Sequence, residues 1–518
     1  MDLTIREKIA QSVMVKADPE LHKKKYGSIK AYLEKYPVGG IFVGGEIIKE
    51  TKCDGQALKK IIEEYQSCSN IPLLVAADGE SGLGHAVSSF VDLPPQMCLG
   101  ATKSSELAYK YGSVCGRCGM EIGINMTFAP VSDLNINKHN LITNVRSITD
   151  DVNLGTKLLP HIIKGIQDCG MLATSKHFPG DGIDYRDQHI VGSKNSLSKE
   201  EWYKLSGAMF KCAIESDVAA IMAGHISLPA FQTAYNGNYA PATLSKELIV
   251  DLLKGELGFK GLVVTDALNM GGFGRWYYDP DEAEVKAYEF GNDMLLWPDE
   301  GVIDRILKCY EAGEIPESRI NDAFSRVMAA KNRVGQSPYN NSDENRSFSV
   351  ETAKELAEKG TCVIKNEINL LPLGKNVKKI KLICISPVDA MAEKLKKLKS
   401  ELEKQGVSVD MSVNRDMYKD AFFEGVDRDY DVLIYALAAD SRDPNFMGKA
   451  AVALLSSLLY DIDKTIIACF GSPYYCYEFF PTAHTYINSY FNDYAIESFA
   501  KGIFGKCELS GETPVKLN

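Results

Sequence analysis

Short apolar runs rich in β-branched residues recur along the first 300 residues, each followed by a stretch of helical character, and this alternation leaves the chain few folds. The runs are SVMV (12–15), GGIFVG (39–44), PLLVAAD (72–78), MTFAPVSD (126–133), LATSKHF (172–178), AAIMAGH (219–225), GLVVTD (261–266) and DMLLW (293–297). Continuously apolar strands that alternate with helices belong to a parallel sheet covered by helices. Eight such units predict a closed (β/α)8 barrel, in which chemistry gathers at the C-terminal strand ends. Those ends carry Asp78, Asp133, Lys176–His177, His225 and Asp266. An open doubly wound sheet, the alternative, would not bring all of them together.

The alternation then breaks. RVGQSPYNNSDENRS (333–347) is rich in Pro, Asn, Ser and charge, and reads as a linker. Beyond it KIKLICIS (379–386), YDVLIYAL (430–437) and TIIACF (465–470) alternate with helical stretches such as DAMAEKLKKLKSELEKQG. The predicted organisation is a catalytic barrel over 1–335, a linker over 336–347 and a smaller three-layer α/β sandwich over 348–518. None of the later strands is followed by GxGxxG or GxxxxGK[ST], which disfavours a nucleotide role.

Bulk properties narrow the function. The 518 residues are 45% hydrophobic and 25% charged, the balance of a globular protein with ample core. A net charge of −11 disfavours nucleic acid and anionic membrane as partners, because phosphate contacts need clustered Lys and Arg. Met1 to Val15 has scattered charges and no apolar run, so neither a signal peptide nor a membrane span is expected there and a cytoplasmic location is. Thirteen cysteines without metal-site spacing suit free thiols, with Cys115 and Cys118 packed on a helix. Eight histidines without His-x-x-x-His spacing indicate no metal, and no cofactor is expected.

One stretch stands out for chemistry. SKHFPGDGIDYRDQH (175–189) holds two histidines, a lysine, an arginine and three aspartates around two glycines, directly after an apolar run. So polar a segment reads as a strand end opening into a shaped loop, where binding and catalytic groups tend to sit. Elsewhere, Asp266 follows the buried run GLVV and is either a helix N-cap or a rigidly held carboxylate at the barrel rim.

These motifs resemble glycoside hydrolase family 3, and within it the branch of β-N-acetylglucosaminidases. KHFPGDG…DQH is similar to that branch's K-H-F-P-G-[HD]-G…D-x-H signature, and GFKGLVVTDALNMGG to its nucleophile segment. AADGESGLG, NVRSITDD, GNDMLLWP, SRINDAFSRVMAAKNRVG, IKNEINLLPL and SGETPVKL extend the likeness over the full length, in the family's order. The resemblance implies that Asp266 is the nucleophile of a retaining glycosidase and that Asp187 and His189 form the acid/base dyad. A histidine with an ordinary pKa of about 6.5 can give a proton to the leaving oxygen and later take one from water. Lys176, His177, Asp78 and Arg146 are implied to bind the hydroxyls of a small-molecule carbohydrate. His225, at its own strand end, either lines the pocket or packs under the loop.

Two departures from the branch are visible. After Asp78 the chain reads GESGLGHAV where relatives usually have E-G-G-R-V, so an arginine is missing and His85 stands nearby. Asp181 occupies a position where many relatives carry histidine. The implied activity is exo-acting, retaining β-N-acetylhexosaminidase action on small glycosides. The alternatives are a phosphorylase, a β-glucosidase on the same fold, or a carbohydrate-binding protein that has lost catalysis; the last is disfavoured because Asp266, Asp187 and His189 are all present.

Overall fold

In the computed structural model, which describes residues 3–517 except 53, 275, 277–278, 387–388, 414–428, 439–460 and 475–481, all eight apolar runs form strands. They are β1 (Val13–Lys16), β2 (Gly40–Phe42), β3 (Leu74–Ala77), β4 (Met126–Thr127), β5 (Leu172–Phe178), β6 (Ala220–Ala223), β7 (Leu262–Thr265) and β8 (Leu295–Leu296). The sheet is parallel in the order β8-β1-β2-β3-β4-β5-β6-β7. A parallel bridge between Val264 and Met294 closes it, with the Thr265 amide donating to the Met294 carbonyl at 3.0 Å. One apolar cluster takes Met14, Phe42, Leu74, Met126, Leu172, Met222, Val264 and Leu296, a residue from every strand, and so fills the barrel interior.

The helices outside the barrel approach closely where the sequence supplies glycine. A Cβ on Gly112, in helix Ser105–Glu121, would lie 2.2 Å from the Ile162 carbonyl oxygen of helix Val152–Gln167. In the opposite direction, a Cβ on Gly165 would lie 2.2 Å from the Tyr109 carbonyl oxygen. Cys115 and Cys118 are buried on the first of these helices, and every cysteine among the described residues is a free thiol. Among the described residues, no helix is long and apolar enough to cross a membrane.

The polar stretch 336–347 is partly helical, because its Asn-Ser-Asp-Glu string is a helix start. Helix Ser342–Gly360 begins inside it, the Asn341 side-chain oxygen accepts from the amides of Asp343 and Glu344 at 3.1 and 3.3 Å, and both acidic residues occupy the first turn. Capping and the helix dipole favour that composition. Arg117 is stacked between Tyr339 and Phe348, its guanidinium 3.6 and 3.8 Å from the ring centres.

The compact unit that carries the barrel comprises 1–92, 108–143 and 152–349; a second unit gathers 93–107, 144–151 and 350–518. The second unit holds a mixed sheet of β9 (Cys362–Asn366), β10 (Lys379–Ile385), β11 (Ser408–Val413), β12 (Val432–Leu437), β13 (Thr465–Phe470) and β14 (Thr485–Ser489). Their order is β9-β14-β13-β12-β10-β11, with only β9 antiparallel to its neighbour. The two short stretches are built into it: a Cβ on Gly100 would lie 1.9 Å from the Ile148 carbonyl oxygen, and Thr149 Oγ1 donates to the Pro514 carbonyl at 2.5 Å.

Because neither backbone in the helix pair can give way cheaply, Gly112→Ala is expected to destabilise the protein by about 1–3 kcal/mol, the usual cost of overpacking. Denaturant titration of the two proteins measures it, and an unchanged midpoint would contradict the close approach.

Candidate active site

The loop after β5 begins around one buried carboxylate. Asp133, at the end of the run that contains β4, accepts the His177 amide with both oxygens at 3.1 Å, the His177 Nδ1 at 2.7 Å and the Asp181 amide at 2.7 Å. A carboxylate accepts only, so Nδ1 carries a proton and the His177 ring is fixed by its partner. Lys176, one residue earlier, is also buried, and its amine pairs with Asp78 at 3.1 Å and Glu80 at 2.6 Å. Asp78 is half exposed, whereas Glu80 is largely covered.

Asp181 is buried two residues beyond the proline. Its Oδ1 accepts from Asn140 Nδ2 at 2.9 Å and from the Gly182 amide at 2.6 Å, and its Oδ2 accepts from Gln188 Nε2 at 2.9 Å. Burial, and then the neighbouring Asp133 charge, push its carboxyl up to about 6 against the pull of His177 and the two amide donors. The loop continues over Asp187 and His189, which form the expected pair: His189 Nδ1 lies 2.7 Å from Asp187 Oδ1, which also accepts the His189 amide at 2.8 Å. The imidazole is exposed.

Asp266 follows β7 and is half-buried. Its amide donates to the Ala223 carbonyl at 2.8 Å, and its Oδ1 accepts from the Ala267 amide at 2.8 Å. Burial alone would raise its carboxyl. The positive potential of His177 and His225, the Ala267 hydrogen bond and the Lys176 ammonium outweigh burial and hold it below the usual carboxylate range. This is an aspartate kept ionised at a strand end, the state a nucleophile needs.

Of the two readings open for His225, lining the pocket or packing under the loop, its geometry fits the second. Its ring is fully buried, with Nε2 3.0 Å from the Ala267 carbonyl and Nδ1 2.9 Å from Thr243 Oγ1. The carbonyl can only accept, so Nε2 donates, and neither nitrogen is left for a ligand. Burial lowers its pKa against the pull of Asp266. It braces the backbone beside Asp266.

Lys176, His177, Asp78, Asp187, His189, Asp266 and His225 all belong to the barrel unit. Arg146 falls in the other unit, in a short 3-10 turn over Asn144–Arg146, where its carbonyl accepts from Gln96 Nε2 at 2.6 Å. Glu80, Asp181 and Gln188 lie beside these residues without having been among the predicted site residues, and Asp133, expected only as a strand end, organises the start of the loop. Glu80 had a signal in its spacing from Asp78. Gln188 had none, because its burial depends on how the loop folds. Among the described residues, no group of three or more His, Cys, Asp or Glu is placed to hold a metal ion.

Comparison with known proteins identifies the family of the chain. The family model described as "Glycosyl hydrolase family 3 N terminal domain" matches residues 4–330. The chain is 32% identical over 367 residues to a β-N-acetylglucosaminidase/β-glucosidase of Cellulomonas fimi, covering 68% of this chain and 64% of that protein. It is 27% identical to β-hexosaminidase A of Pseudoalteromonas piscicida, covering 68% of this chain and 63% of that one. The chain thus spans less than two thirds of the length of these relatives. Among solved structures, a glycoside hydrolase family 3 β-N-acetylglucosaminidase from Paenibacillus sp. str. FPU-7 superposes with a TM-score of 0.85 at 26% identity, covering 100% of this chain and 99% of that one. The β-glucoside phosphorylase BglX bound to 2FGlc gives 0.85 at 25% identity, covering 100% and 95%.

The two histidine–aspartate pairs should respond differently to mutation. Asp133→Leu strands two backbone amides and a buried imidazole, and is expected to cost about 3–5 kcal/mol of stability. Asp187→Ala breaks a solvent-exposed pair and should cost no more than about 1 kcal/mol. Equal losses in parallel denaturation curves would overturn this assignment of roles.

Proposed function

Because the chain belongs to glycoside hydrolase family 3, we propose that it is an exo-acting, retaining β-N-acetylhexosaminidase that removes terminal N-acetylglucosamine from small glycosides. The observation that carries this reading is the pairing of His189 with Asp187 on a loop hydrogen-bonded to the segment that follows an ionised Asp266. His189 and Gln188 accept, through their carbonyls, from the amides of Gly271 and Gly272 at 2.8 and 3.1 Å.

In the first step an Asp266 oxygen attacks the anomeric carbon while protonated His189 gives its Nε2 proton to the glycosidic oxygen, and the aglycone leaves as an alcohol. The Asp187 carboxylate holds Nδ1–H, which leaves Nε2 to carry the proton in flight. The second step reverses the roles: neutral His189 takes a proton from water, the water oxygen bonds to the anomeric carbon, and Asp266 departs as the carboxylate. His177, fixed through Nδ1, offers Nε2 to a sugar hydroxyl, and Lys176 with Asp78 and Glu80 supplies donors and acceptors to others. The names of the relatives from Cellulomonas fimi and Pseudoalteromonas piscicida support the hexosaminidase reading.

A phosphorylase is the second reading, supported by the likeness to BglX. A histidine that has lost its proton is neutral, so phosphate is not repelled from the glycosyl-enzyme as it would be by a glutamate. Release of sugar from aryl N-acetyl-β-glucosaminide, followed with and without phosphate, separates the two: free sugar at an unchanged rate supports the hydrolase, and sugar 1-phosphate supports the phosphorylase.

Two outcomes test the machinery. Asp266→Asn should fold and lose nearly all turnover, because an amide cannot form the covalent ester; a labelled sugar trapped on any other residue would remove Asp266 from the role. The aryl N-acetyl-β-glucosaminide should exceed the matching glucoside in kcat/KM by at least about tenfold, or about 1.4 kcal/mol. A faster glucoside would replace the N-acetylglucosaminidase reading with a glucosidase.

A further inference from the structure

Gln188 stands between the two members of the dyad, yet its side chain goes the other way. Among residues 183–192 it alone is buried, at 1% exposure, while its neighbours Tyr185 and Ile190 are 65% and 63% exposed. Its carboxamide is used at both ends. Nε2 donates to Asp181 Oδ2 at 2.9 Å, and Oε1 accepts from the His225 amide at 3.2 Å. Asp181 is held in turn by Asn140 and the Gly182 amide, and His225 by Thr243 and the Ala267 carbonyl.

We infer that Gln188 is a positioning residue for the acid/base, a clamp whose two hydrogen bonds set where His189 stands relative to the Asp266 segment. This rests on the proposed role of His189. The backbone contacts show how tight the setting is: a Cβ on Gly271 would lie 2.3 Å from the Ile190 carbonyl oxygen, and one on Gly272 would lie 2.6 Å from that of Gln188. The start of the loop is pinned by Asp184, whose covered side chain accepts the Lys194 amide at 2.9 Å; beside His189 itself the buried side chain is that of Gln188, so the register there depends on the clamp.

The polarity of the clamp is fixed by its partners. The Asp181 carboxylate accepts and the His225 amide donates, so the residue between them must donate at one end and accept at the other, which glutamine does and glutamate does not. Gln188→Glu sets two carboxyl groups against each other. Asp181→Asn keeps Oδ1 for Asn140 and Gly182 but turns an NH2 toward Gln188 Nε2; flipping the glutamine only moves the donor–donor clash to the His225 amide. The double variant Asp181→Asn/Gln188→Glu reverses the hydrogen bond, with Asn donating and Glu accepting from both sides, and satisfies every group again.

The test measures kcat/KM on N-acetyl-β-glucosaminides with activated nitrophenyl and unactivated alkyl leaving groups, for the wild type, both single variants, the double variant and His189→Ala. Only the alkyl substrates need the proton, so each single variant is expected to lose at least about tenfold more on them than on the nitrophenyl substrate. The double variant should return to within about threefold of the wild type on both, since paired sites compensate when their interaction is restored. Gln188→Met, which keeps length and burial without either hydrogen bond, covers the case in which a single variant does not fold, and should show the same leaving-group split. Equal losses on both substrates, a Met variant as fast as the wild type, or a double variant no better than the singles would overturn the clamp. If His189→Ala itself loses equally on both, it is the acid/base reading that falls.

Discussion

The site depends on one buried carboxylate. Asp133 receives two backbone amides and an imidazole nitrogen from the end of β5 and the loop after it, and a group accepting that many hydrogen bonds in the interior cannot be lost without orphaning all of its donors. It fixes the orientation of His177 and the path of the chain through Asp181. Everything further along the loop inherits that path. Asp181 holds Gln188, Gln188 reaches the His225 backbone, and the dyad is carried between them.

The electrostatics follow from the same arrangement. The two aspartates near His177 are not alike: buried Asp181 is pushed up by its burial and the Asp133 charge, whereas half-buried Asp266 sits where His177, His225 and Lys176 favour its anion. The barrel gathers these groups because the C-terminal ends of its strands converge. Asp266 is thereby kept ionised by residues from other strands, while the His189 imidazole stays exposed. The carboxylate is held directly after a strand and the imidazole on a loop, so the proposed mechanism draws its two groups from elements of different rigidity.

The 183–192 segment exposes Tyr185, His189 and Ile190, leaves most of its other residues half-buried, and buries Gln188 alone. Such a loop can be shaped by a few buried polar contacts without disturbing the strands beneath it.

The eight strands, their parallel order and the placement of Asp78, Lys176, His177 and Asp266 at strand ends were legible in the sequence, because buried parallel strands have to be continuously apolar and the polar residue that ends each run stands out. The Asp187–His189 pair was legible from its spacing and its likeness to known relatives. Strands β9, β11 and β14 were less visible: the first two are sheet edges with exposed positions, and TYINS is short and polar, so none of them makes an apolar run. The start of helix Ser342–Gly360 read as linker because capping residues and loop residues are the same types. Only tertiary structure decided that 93–107 and 144–151, and Arg146 with them, belong to the second compact unit, and that His225 is braced at both nitrogens. It also decided that Gln188 faces inward. A local string specifies which groups a segment can offer; which of them are left for a ligand depends on partners tens of residues away, and those partners are chosen only when the chain packs.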